Sequence, residues 1–469
     1  MALPPANWEE ELAKRDREIA ELRAQLAAAM KMIEELRAQL KQNSSNSSRP
    51  PSSDLPGGAA KPEQKLSGRK RGGQPGHTKH ERVLVAPDRV TRFVDLIPQE
   101  CEQCDHPLRG EDPEPRRHQV VELPEIQPDV TEFRRHRLGC DHCGHVTMLD
   151  LPAEARRGHF GVRLMAFLAT CTGYWHLSRR QTQEVASGLV GIDISLGAVC
   201  DLERKTSEAL AAPAEEAAQY VKQQPSAHAD ETGWMENKGK AWLWTAVTPK
   251  VAVFLIACSR GTDVAKRLLG EAFAGILHSD RWSAYTWVSV FRRQLCWSHL
   301  LRHFVMFQDY SGEVRRIGEE LENLTNWMFT FWHQVRDGTM TRSQFTAVMD
   351  RLRPQILQYL REGQGVPVRK VAGMCREILA LEPALFTFVD IEGLEPTNNR
   401  AERAIRPAVL WRKGSFGSDS EAGSRFAERM LTVTTTLRLQ NRNVLHFITE
   451  CCQAAFFKRQ PPSLLPQTP

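Results

Sequence analysis

Hydrophobic residues recur every seven positions near the N-terminus of the chain. Five of these residues are spaced seven apart: Leu12, Ile19, Leu26, Ile33 and Leu40. A second series follows three residues after Ile19, Leu26 and Ile33 and consists of Leu22, Ala29 and Leu36. These are the a and d positions of a heptad pattern, which predicts a coiled coil over residues 8–42 and self-association through it. The alternative is one amphipathic helix packed on its own domain. The polar segment that follows separates the helix from any core and favours self-association.

Residues 43–80 are poor in hydrophobic residues. They begin with NSSNSSRPPSSDLPGGAAKP and end with the basic, glycine-rich KLSGRKRGGQPGHTKH, a composition that predicts a disordered linker. Basic side chains displace condensed counterions from a phosphate backbone. We therefore predict that Arg69, Lys70 and Arg71 contact nucleic acid, with a solubilising linker as the alternative.

Two Cys-x-x-Cys pairs lie in the region 81–152, CEQC and CDHC. Each pair forms a tight turn that places two sulfur atoms on one tetrahedral ion, which predicts a zinc ribbon. The predicted ligands of this structural Zn²⁺ are Cys101, Cys104, Cys140 and Cys143. Four unrelated buried cysteines are the alternative, which requires a coincidence in both spacings. The ligand set stays open because three neighbouring histidines can each replace a sulfur: His106, His142 and His145.

The periodicity becomes helical over residues 153–222. One helix is expected to begin after Ser178 and a second after Ser195, with a short glycine-containing turn between them. Helix, short turn, helix is the helix-turn-helix pattern of DNA-binding domains. Its second helix carries Arg204 and Lys205, which we predict to contact DNA. A plain helical connector is the alternative.

From residue 223 the pattern changes to short strands. SAHADETGW, KAWLWTAVTP and VAVFLIACS are followed by a helical step, TDVAKRLLG, and by another apolar run, GILHSDRWSAY. FRRQLCWSHLLRHF is expected to begin as a further strand and to become a helix. We interpret the order as strand, strand, strand, helix, strand, helix, strand, which is that of a ribonuclease-H-like mixed sheet. This fold is assigned to 223–310 and 396–458, with 311–395 as an all-helical insertion.

Two of these runs end in a repeated pattern, His-Ala-Asp and His-Ser-Asp. Asp230 and Asp280 are therefore each expected to terminate an apolar strand. Adjacent strand residues face opposite sides, so Asp230 rather than Glu231 is expected to share a site with Asp280. Two carboxylates at neighbouring strand ends repel each other unless a cation lies between them, and Mg²⁺ prefers oxygen ligands and suits phosphate substrates. The pair predicts metal-assisted phosphoryl chemistry; solvated acids beyond a strand end are the alternative.

A candidate third acid lies in EPTNNRAERAIRP, where Thr397 or Asn398 is a favourable helix start. One face of the helix that follows carries four polar residues: Asn399, Glu402, Arg403 and Arg406. In most proteins such a stripe is a structural ion-pair face. It also suits a site that holds a metal with Glu402 and phosphate with Arg403 or Arg406.

The chain has 469 residues and a formal net charge of +5, which allows two or three domains and indicates no partner by itself. Its N-terminus lacks the apolar core of a signal peptide, and the longest apolar run, VAVFLIAC, is too short to span a bilayer. Apart from the two pairs, the 11 cysteines are scattered and form no disulfide framework. We expect a cytoplasmic protein without a membrane partner.

HADETGW, HSDRWSAY, CWSHLLRHF and TNNRAERAIRP, in this order, resemble the transposases of insertion sequence family 66. QNSSNSSRPPSSD, the basic GRKRGGQPGH, the cysteine pairs and the helical segment match as well, so the similarity covers nearly the whole chain. The resemblance implies a DDE recombinase in which Asp230, Asp280 and Glu402 are the catalytic acids and the ligands of Mg²⁺ or Mn²⁺. The Cys-Trp-x-His stretch implies that His299 lies near the site, and a packing role for it is equally consistent.

We thus expect a multidomain α+β protein with a coiled coil, a zinc ribbon, a helix-turn-helix-like domain and a ribonuclease-H-like catalytic domain. The resemblance implies that it binds the ends of its element and performs 3′-end cleavage and strand transfer by two-metal chemistry. Expected partners are DNA, a second copy of the chain and accessory proteins of the same element. A non-catalytic DNA-binding regulator and a metal-dependent nuclease of the same fold are the alternatives.

Overall fold

The structure is a computed structural model, and it describes the residues 8–40, 82–152, 155–156 and 158–466. Among these, residues 82–128 form one compact unit and the others belong to a second. The predicted linker and its predicted phosphate contacts, Arg69, Lys70 and Arg71, lie outside the described residues. Within the described part of the chain, no helix has both the length and the apolar character needed to cross a membrane.

The heptad pattern lies on one continuous helix, α1 (Trp8–Leu40). The large a and d side chains from Leu12 to Leu36 are exposed in the single chain, with exposed fractions that range from 46% at Ile19 to 62% at Leu26. A row of large apolar side chains in water is unfavourable and marks a surface for association. The helix is as predicted, and its self-association remains a prediction.

Each Cys-x-x-Cys pair lies in a tight turn closed by a backbone hydrogen bond. The N–H of Cys101 donates to the carbonyl of His106 at 2.9 Å, and the N–H of Cys140 donates to the carbonyl of His145 at 2.8 Å. Two short antiparallel strands flank the second pair: β1 (Arg137–Gly139) and β2 (Val146–Met148). Both turns therefore share this backbone hydrogen bond from the first cysteine to the residue five positions later.

Helices fill the next region: α2 (Val162–Gly173), α3 (Arg179–Val190), α4 (Leu196–Ala209) and α5 (Ala211–Lys222). The two predicted helix starts are confirmed, since Ser178 forms a capping box with Gln181 and Ser195 accepts a hydrogen bond from the N–H of Ala198. Gly191 ends α3 with φ 69°, a left-handed conformation that glycine adopts without steric cost.

A mixed sheet lies at the centre of the larger unit. Its strands are β3 (Ser226–Glu236), β4 (Gly239–Val247), β5 (Ala252–Ala257), β6 (Ile276–Ser279) and β7 (Arg293–Leu295). Helix α6 (Thr262–Leu269) connects β5 to β6. The order across the sheet is β5-β4-β3-β6-β7, so that β3 is central. Strands β3, β4 and β5 form an antiparallel meander, whereas β6 pairs in parallel with both β3 and β7.

The connection from β6 to β7 differs from the predicted order. We expected a helix between the last two strands, but only two 3₁₀ turns lie there, Ser283–Tyr285 and Val290–Arg292. Helix α7 (Trp297–Phe307) follows β7 instead. A parallel connection needs a crossover of a dozen or so residues rather than a helix as such, and the extended loop supplies that length.

The repeated His-x-Asp pattern corresponds to residues that are paired in the sheet. The parallel pairing of β3 with β6 ends at His228 opposite His278, and the two imidazole rings stack with their centroids 4.0 Å apart. Asp230 and Asp280 each lie two residues beyond this pair. Asp280 follows the end of β6 as expected, but the expectation that Asp230 terminates a strand is wrong. Strand β3 continues to Glu236 because β4 still pairs with it there.

Helices make up the rest of the larger unit: α8 (Gly312–Arg336), α9 (Arg342–Gln364), α10 (Arg369–Ala380), α11 (Thr387–Asp390), α12 (Asn399–Ser415), α13 (Glu421–Leu439) and α14 (Val444–Phe457). Helices α8–α11 pack with α7 around one core that includes Phe304, Phe345 and Phe388. Helices α2–α5 share a second core with the sheet, α13 and α14. They therefore have no separate core of their own.

Helix α13 covers the open edge of the sheet. Three outward backbone N–H groups of β5 donate to side chains on α13, in the pairs Ala252–Thr436, Phe254–Thr432 and Ile256–Glu428. Four residues along a helix advance about 6 Å, and two along a strand advance about 6.6 Å. The two spacings match, so side chains four apart can satisfy every second amide of an edge strand.

Candidate active site

Asp230 and Glu231 are neighbours on β3, and their side chains have different roles. Glu231 is buried, with 1% of its side chain exposed, and its carboxylate accepts hydrogen bonds from Arg260 Nε at 2.9 Å and from the Tyr285 hydroxyl at 2.6 Å. The guanidinium of Arg260 in turn lies 3.8 Å from the centroid of the Trp282 ring. Glu231 thus belongs to a buried ion pair that supports the site.

Asp230 lacks such a partner. Its Oδ1 accepts a hydrogen bond from the backbone N–H of Glu231 at 2.9 Å, and none of the described residues forms a salt bridge with it. Burial raises the pKa of Asp230 well above its usual value, and the negative charges of Glu231, Asp280 and Glu402 raise it further, whereas His299 lowers it. A carboxylate crowded by other carboxylates is the environment that a divalent cation stabilises.

Asp280 is held at the end of β6 by hydrogen bonds on both its side chain and its main chain. Its Oδ1 accepts from the N–H of Trp282 at 2.8 Å. Its backbone carbonyl accepts from the hydroxyl of Ser279 at 2.8 Å and from the buried guanidinium of Arg293 at 3.3 Å. The carboxylate therefore has a defined orientation beside Asp230.

Helix α12 is tied to the sheet where it begins. The Asn398 side chain donates to the carbonyl of Ala229 at 2.7 Å, and its backbone N–H donates to the sulfur of Cys296 at 3.1 Å. The N–H of Trp297 donates to the carbonyl of Pro396 at 2.9 Å. These bonds connect the start of α12 both to β3, next to Asp230, and to the start of α7.

The apolar face of α12 decides which way Glu402 points. Four small or medium residues of the helix pack against the sheet: Ala401, Ala404, Ile405 and Ala408. Glu402 lies on the flank of that face and is partly buried, with 30% of its side chain exposed. It therefore reaches the rim of the site at the first turn of α12.

Glu402 points towards α7. Its Oε1 lies 3.6 Å from His299 Nδ1, and its Oε2 lies 3.9 Å from a guanidinium nitrogen of Arg302. Burial lowers the pKa of His299, but the proximity of Cys296 and the charges of Glu402 and Asp280 outweigh it and raise that pKa to about 9. His299 is therefore predominantly protonated at neutral pH, which favours its pairing with the carboxylate.

The predicted acids meet in one region of the molecule, but not in one tight group. Asp230 and Asp280 lie on neighbouring parallel strands, and Glu402 lies close enough to affect the pKa of Asp230. Among the described residues, the three potential ligand atoms that all lie within 4.8 Å of one another belong to Cys296, His299 and Glu402. The carboxylate of Glu402 must turn from α7 to share an ion with the two aspartates.

The basic residues predicted to contact phosphate differ in whether they already form ion pairs within the protein. Arg403 and Arg406 are exposed on α12, and neither forms an ion pair with any residue that the structure describes. Arg204 forms salt bridges with Asp201 and Glu208, and Lys205 forms one with Asp201. The α12 arginines are thus free to meet a phosphate, whereas the basic groups of α4 are already neutralised within their helix.

The cysteine turns have the electrostatics of metal-binding thiols. Hydrogen bonds from the backbone N–H of Gln103 and from Cys104 lower the pKa of Cys101. Hydrogen bonds from the backbone N–H groups of Cys143 and His142 do the same for Cys140. Since the thiolate is the form that binds zinc, each turn favours the reactive form of its first cysteine.

Sequence reasoning missed two residues of this site. Cys296 and Asn398 connect the starts of α7 and α12 through the hydrogen bond from the Asn398 N–H to the Cys296 sulfur, and neither was expected to contribute to the site. The Cys-x-x-His spacing was the available signal for Cys296, because residues three apart at a helix start lie on one face. No comparable signal exists for Asn398, whose partner Ala229 is distant in sequence.

Two family models match parts of this chain. Residues 157–426 match the model of the transposase IS66 family, and residues 3–83 match a family of unknown function (DUF6444). The first match includes Asp230, Asp280 and Glu402 and extends from α2 into α13.

Two uncharacterized proteins of Sinorhizobium fredii are similar to this chain. One, y4qI, is 27% identical over 241 residues, which cover 45% of this chain and 43% of y4qI. The other, y4hP, is 24% identical over 353 residues, which cover 66% of this chain and 62% of y4hP. The chain thus spans less than two thirds of either relative. The family model, in contrast, matches more than half of the chain, and this protein belongs to the IS66 family of transposases.

Proposed function

We propose that this protein is a DDE-type transposase that binds the ends of its element, cleaves their 3′ ends and joins them to target DNA. One observation carries the proposal. Asp230 and Asp280 lie two residues beyond the paired His228 and His278 of two neighbouring parallel strands, and Glu402 lies in the first turn of a helix that is tied to the same point of the sheet. The strand order and the parallel β6 and β7 support a ribonuclease-H-like domain.

The donor set fits divalent metal ions. Asp230 combines a raised pKa with the absence of a salt bridge among the described residues, and its neighbours Asp280 and Glu402 add further carboxylate oxygens. When bound, two Mg²⁺ or Mn²⁺ ions activate the attacking oxygen and stabilise the leaving oxygen of the phosphodiester. Asp230, Asp280 and Glu402 would hold the ions through their carboxylate oxygens.

The remaining residues of the proposed site orient the substrate. Arg403 and Arg406 are exposed along the helix that carries Glu402, where they can bind the phosphates that flank the scissile bond. Buried Arg293 and the Asn398 bond to Ala229 keep the strand end and the helix start in place. No covalent intermediate is required, so the site needs no nucleophilic serine or tyrosine.

The other modules are assigned accessory roles. We propose that Cys101, Cys104, Cys140 and Cys143 bind a structural Zn²⁺, and that the basic segment 65–80 contacts DNA phosphates. For Arg204 and Lys205 a direct DNA contact requires that they exchange their helix partners for phosphate. Helix α1 would bring two or more copies together, because a synaptic complex must hold two DNA ends.

Asp280→Asn tests the proposal. Labelled DNA from both sides of the reading frame is incubated with a target plasmid, Mg²⁺ and the full-length protein. The variant should lower strand transfer by about 10³-fold, because a lost metal ligand removes several kcal/mol of transition-state stabilisation, and should leave DNA binding intact.

The matched control is Asp350→Asn, on an exposed position of α9, which should transfer strands like the wild type. Transfer retained by Asp280→Asn contradicts the assignment of the acids. Cleavage without joined products by the wild type would instead indicate a nuclease of the same fold. DNA binding without metal-dependent cleavage would indicate a regulator.

A further inference from the structure

A second set of metal-ligand atoms lies beside the three predicted acids. Cys296, His299 and Glu402 each direct one potential ligand atom to a common point, and these atoms all lie within 4.8 Å of one another. Cys296 is the N-cap residue of α7 and His299 lies in its first turn, so both side chains face the start of α12. The three residues come from two helices that the Asn398 and Trp297 hydrogen bonds hold together.

The polar atoms of this group are incompletely satisfied. His299 Nδ1 and Glu402 Oε1 are inaccessible to solvent and have no hydrogen bond among the described residues. They lie 3.6 Å from each other, which is longer than a hydrogen bond. Arg302 approaches the other oxygen of Glu402, at 3.9 Å, and leaves Oε1 free. Buried polar atoms without partners are unfavourable unless an ion or water joins them.

The chemistry of the set selects one class of ion. A thiolate, an imidazole and a carboxylate are the ligands of Zn²⁺ and related borderline-soft cations, whereas Mg²⁺ takes oxygen ligands. Metal binding releases two protons to solvent, the thiol proton of Cys296 and the imidazolium proton of His299, after which the three ligands carry a charge of −2. Three protein ligands with a fourth position open to water form a complete tetrahedral shell.

We propose that Cys296, His299 and Glu402 form an inhibitory site for Zn²⁺ or a similar thiophilic cation, in competition with the catalytic ions. An ion bound there keeps the Glu402 carboxylate on α7. The same carboxylate is then absent from the shell that includes Asp230 and Asp280. The inhibitory role rests on the proposed function, whereas the binding site itself does not.

Cobalt tests the binding site without DNA. Full-length protein is titrated with Co²⁺, and bound equivalents and cobalt–thiolate charge-transfer absorption are measured for the wild type and two variants. Cys296→Ser should bind one equivalent less and lose part of the absorption, while Cys258→Ser, at an exposed cysteine, should match the wild type. The ribbon cysteines are unchanged in all three proteins, so any Co²⁺ and absorption that they contribute is the same in each and does not affect the difference between them.

A second variant, His299→Gln, tests the same site in case Cys296→Ser does not fold. His299→Gln should also lose one equivalent of Co²⁺ while its circular dichroism spectrum matches the wild type. The proposal is overturned if Cys296→Ser and His299→Gln, both folded, bind as much Co²⁺ as the wild type with the same spectrum.

Zinc inhibition tests the competition. Strand transfer in Mg²⁺ is measured at increasing Zn²⁺, and each protein is compared with its own activity without Zn²⁺. Cys296→Ser should need at least about tenfold more Zn²⁺ for half-inhibition, as expected for a weakened metal site; equal sensitivity would overturn the inhibitory role. A protein that binds Co²⁺ through Cys296 but joins no DNA would contradict the proposed function and support the metal site.

Discussion

At the scale of single residues, Asp230 and Glu231 show how two adjacent acids acquire different tasks. The alternation of a strand sends them to opposite faces. On one face Arg260 and Tyr285 satisfy Glu231. On the other face Asp230 lies near Asp280 and Glu402 without a salt bridge among the described residues. Burial and the charge of Asp280 raise the pKa of Glu231, and Tyr285 and Arg260 offset part of this effect. Asp230 has no such cationic partner among the described residues, so its ionised form is unfavourable without a bound cation.

This difference predicts opposite effects on stability. Glu231→Gln should lower the stability of the protein by about 1–3 kcal/mol, because it leaves the partly buried Arg260 without its charge partner. Asp230→Asn should raise the midpoint of thermal unfolding in metal-free buffer, because it removes a charge that burial and its neighbours disfavour. Thermal unfolding followed by circular dichroism measures both effects.

The Asp350→Asn variant, at an exposed position, serves as the control and should leave the midpoint unchanged. A lower midpoint for Asp230→Asn would show that this carboxylate stabilises the fold. That result would contradict its assignment as a strained metal ligand.

Glu428 predicts a pH dependence of stability. Burial raises its pKa from 4.5 to about 7, although the N–H of Ile256 and the guanidinium of Arg425 lower it. A raised folded-state pKa means that the folded chain binds more protons, so this group costs stability as pH rises from 4.5 towards 7. Glu428→Gln should remove about 2–3 kcal/mol of that loss.

Thermal midpoints at pH 5 and pH 8 measure this effect. The wild type should lose more stability over that interval than Glu428→Gln does. An identical decrease in the two proteins would show that Glu428 is ionised at little cost in the folded state. Arg425→Lys, which keeps the positive charge, should retain the wild-type pH dependence.

At the scale of elements, three hydrogen bonds from backbone N–H groups of β5 to side chains of α13 form a ladder that covers one edge of the sheet. Edge strands present unpaired N–H groups that can template aggregation. Here Thr432 and Thr436 provide hydroxyl acceptors for Phe254 and Ala252, and both threonines are buried. Threonine is a modest helix former, so its use in the middle of α13 is explained by the strand that it serves.

The ladder predicts that two substitutions of Thr432 differ in their effect on stability. Thr432→Val keeps the shape of the side chain but leaves the N–H of Phe254 without its acceptor, which should cost about 1–3 kcal/mol. Thr432→Ser keeps the hydroxyl and should cost less. Thermal midpoints compare the two, and equal losses would show that the methyl packing rather than the hydrogen bond stabilises this contact.

At the scale of the whole molecule, α1 carries an apolar seam that the described part of the chain does not cover. Its a and d side chains from Leu12 to Leu36 are exposed. A second copy of the same helix is the complement that a heptad pattern specifies. Association of this kind would set the number of catalytic units at the two DNA ends.

A charge placed in the seam should dissociate the assembly. Leu22→Asp, at a d position, should reduce the molar mass measured by light scattering to that of one chain, because it places like charges in the interface. Ala24→Asp introduces the same charge at an exposed position outside the seam and should leave the mass unchanged. An equal mass for both variants and the wild type would contradict association through α1.

Much of the local structure could be predicted from the sequence. The helix starts at Ser178 and Ser195 follow from capping chemistry, and the strands around Asp230 and Asp280 follow from apolar runs. The order after β6 was predicted only in part. The strand and the helix expected in FRRQLCWSHLLRHF are present as β7 and α7, but the helix expected between the last two strands is absent, because a loop with two 3₁₀ turns provides the crossover.

The sequence alone determined which residues are candidates: two acids in a repeated His-x-Asp pattern, a third acid on a helix, and two cysteine pairs. These are local patterns, which can be recognised in the sequence without knowledge of the fold. The tertiary structure alone decided that His228 pairs with His278, that Glu231 is neutralised by Arg260, and that Glu402 turns towards Cys296 and His299. Each of these contacts joins residues that lie far apart in the chain, and only the packing of the sheet and its helices brings them together.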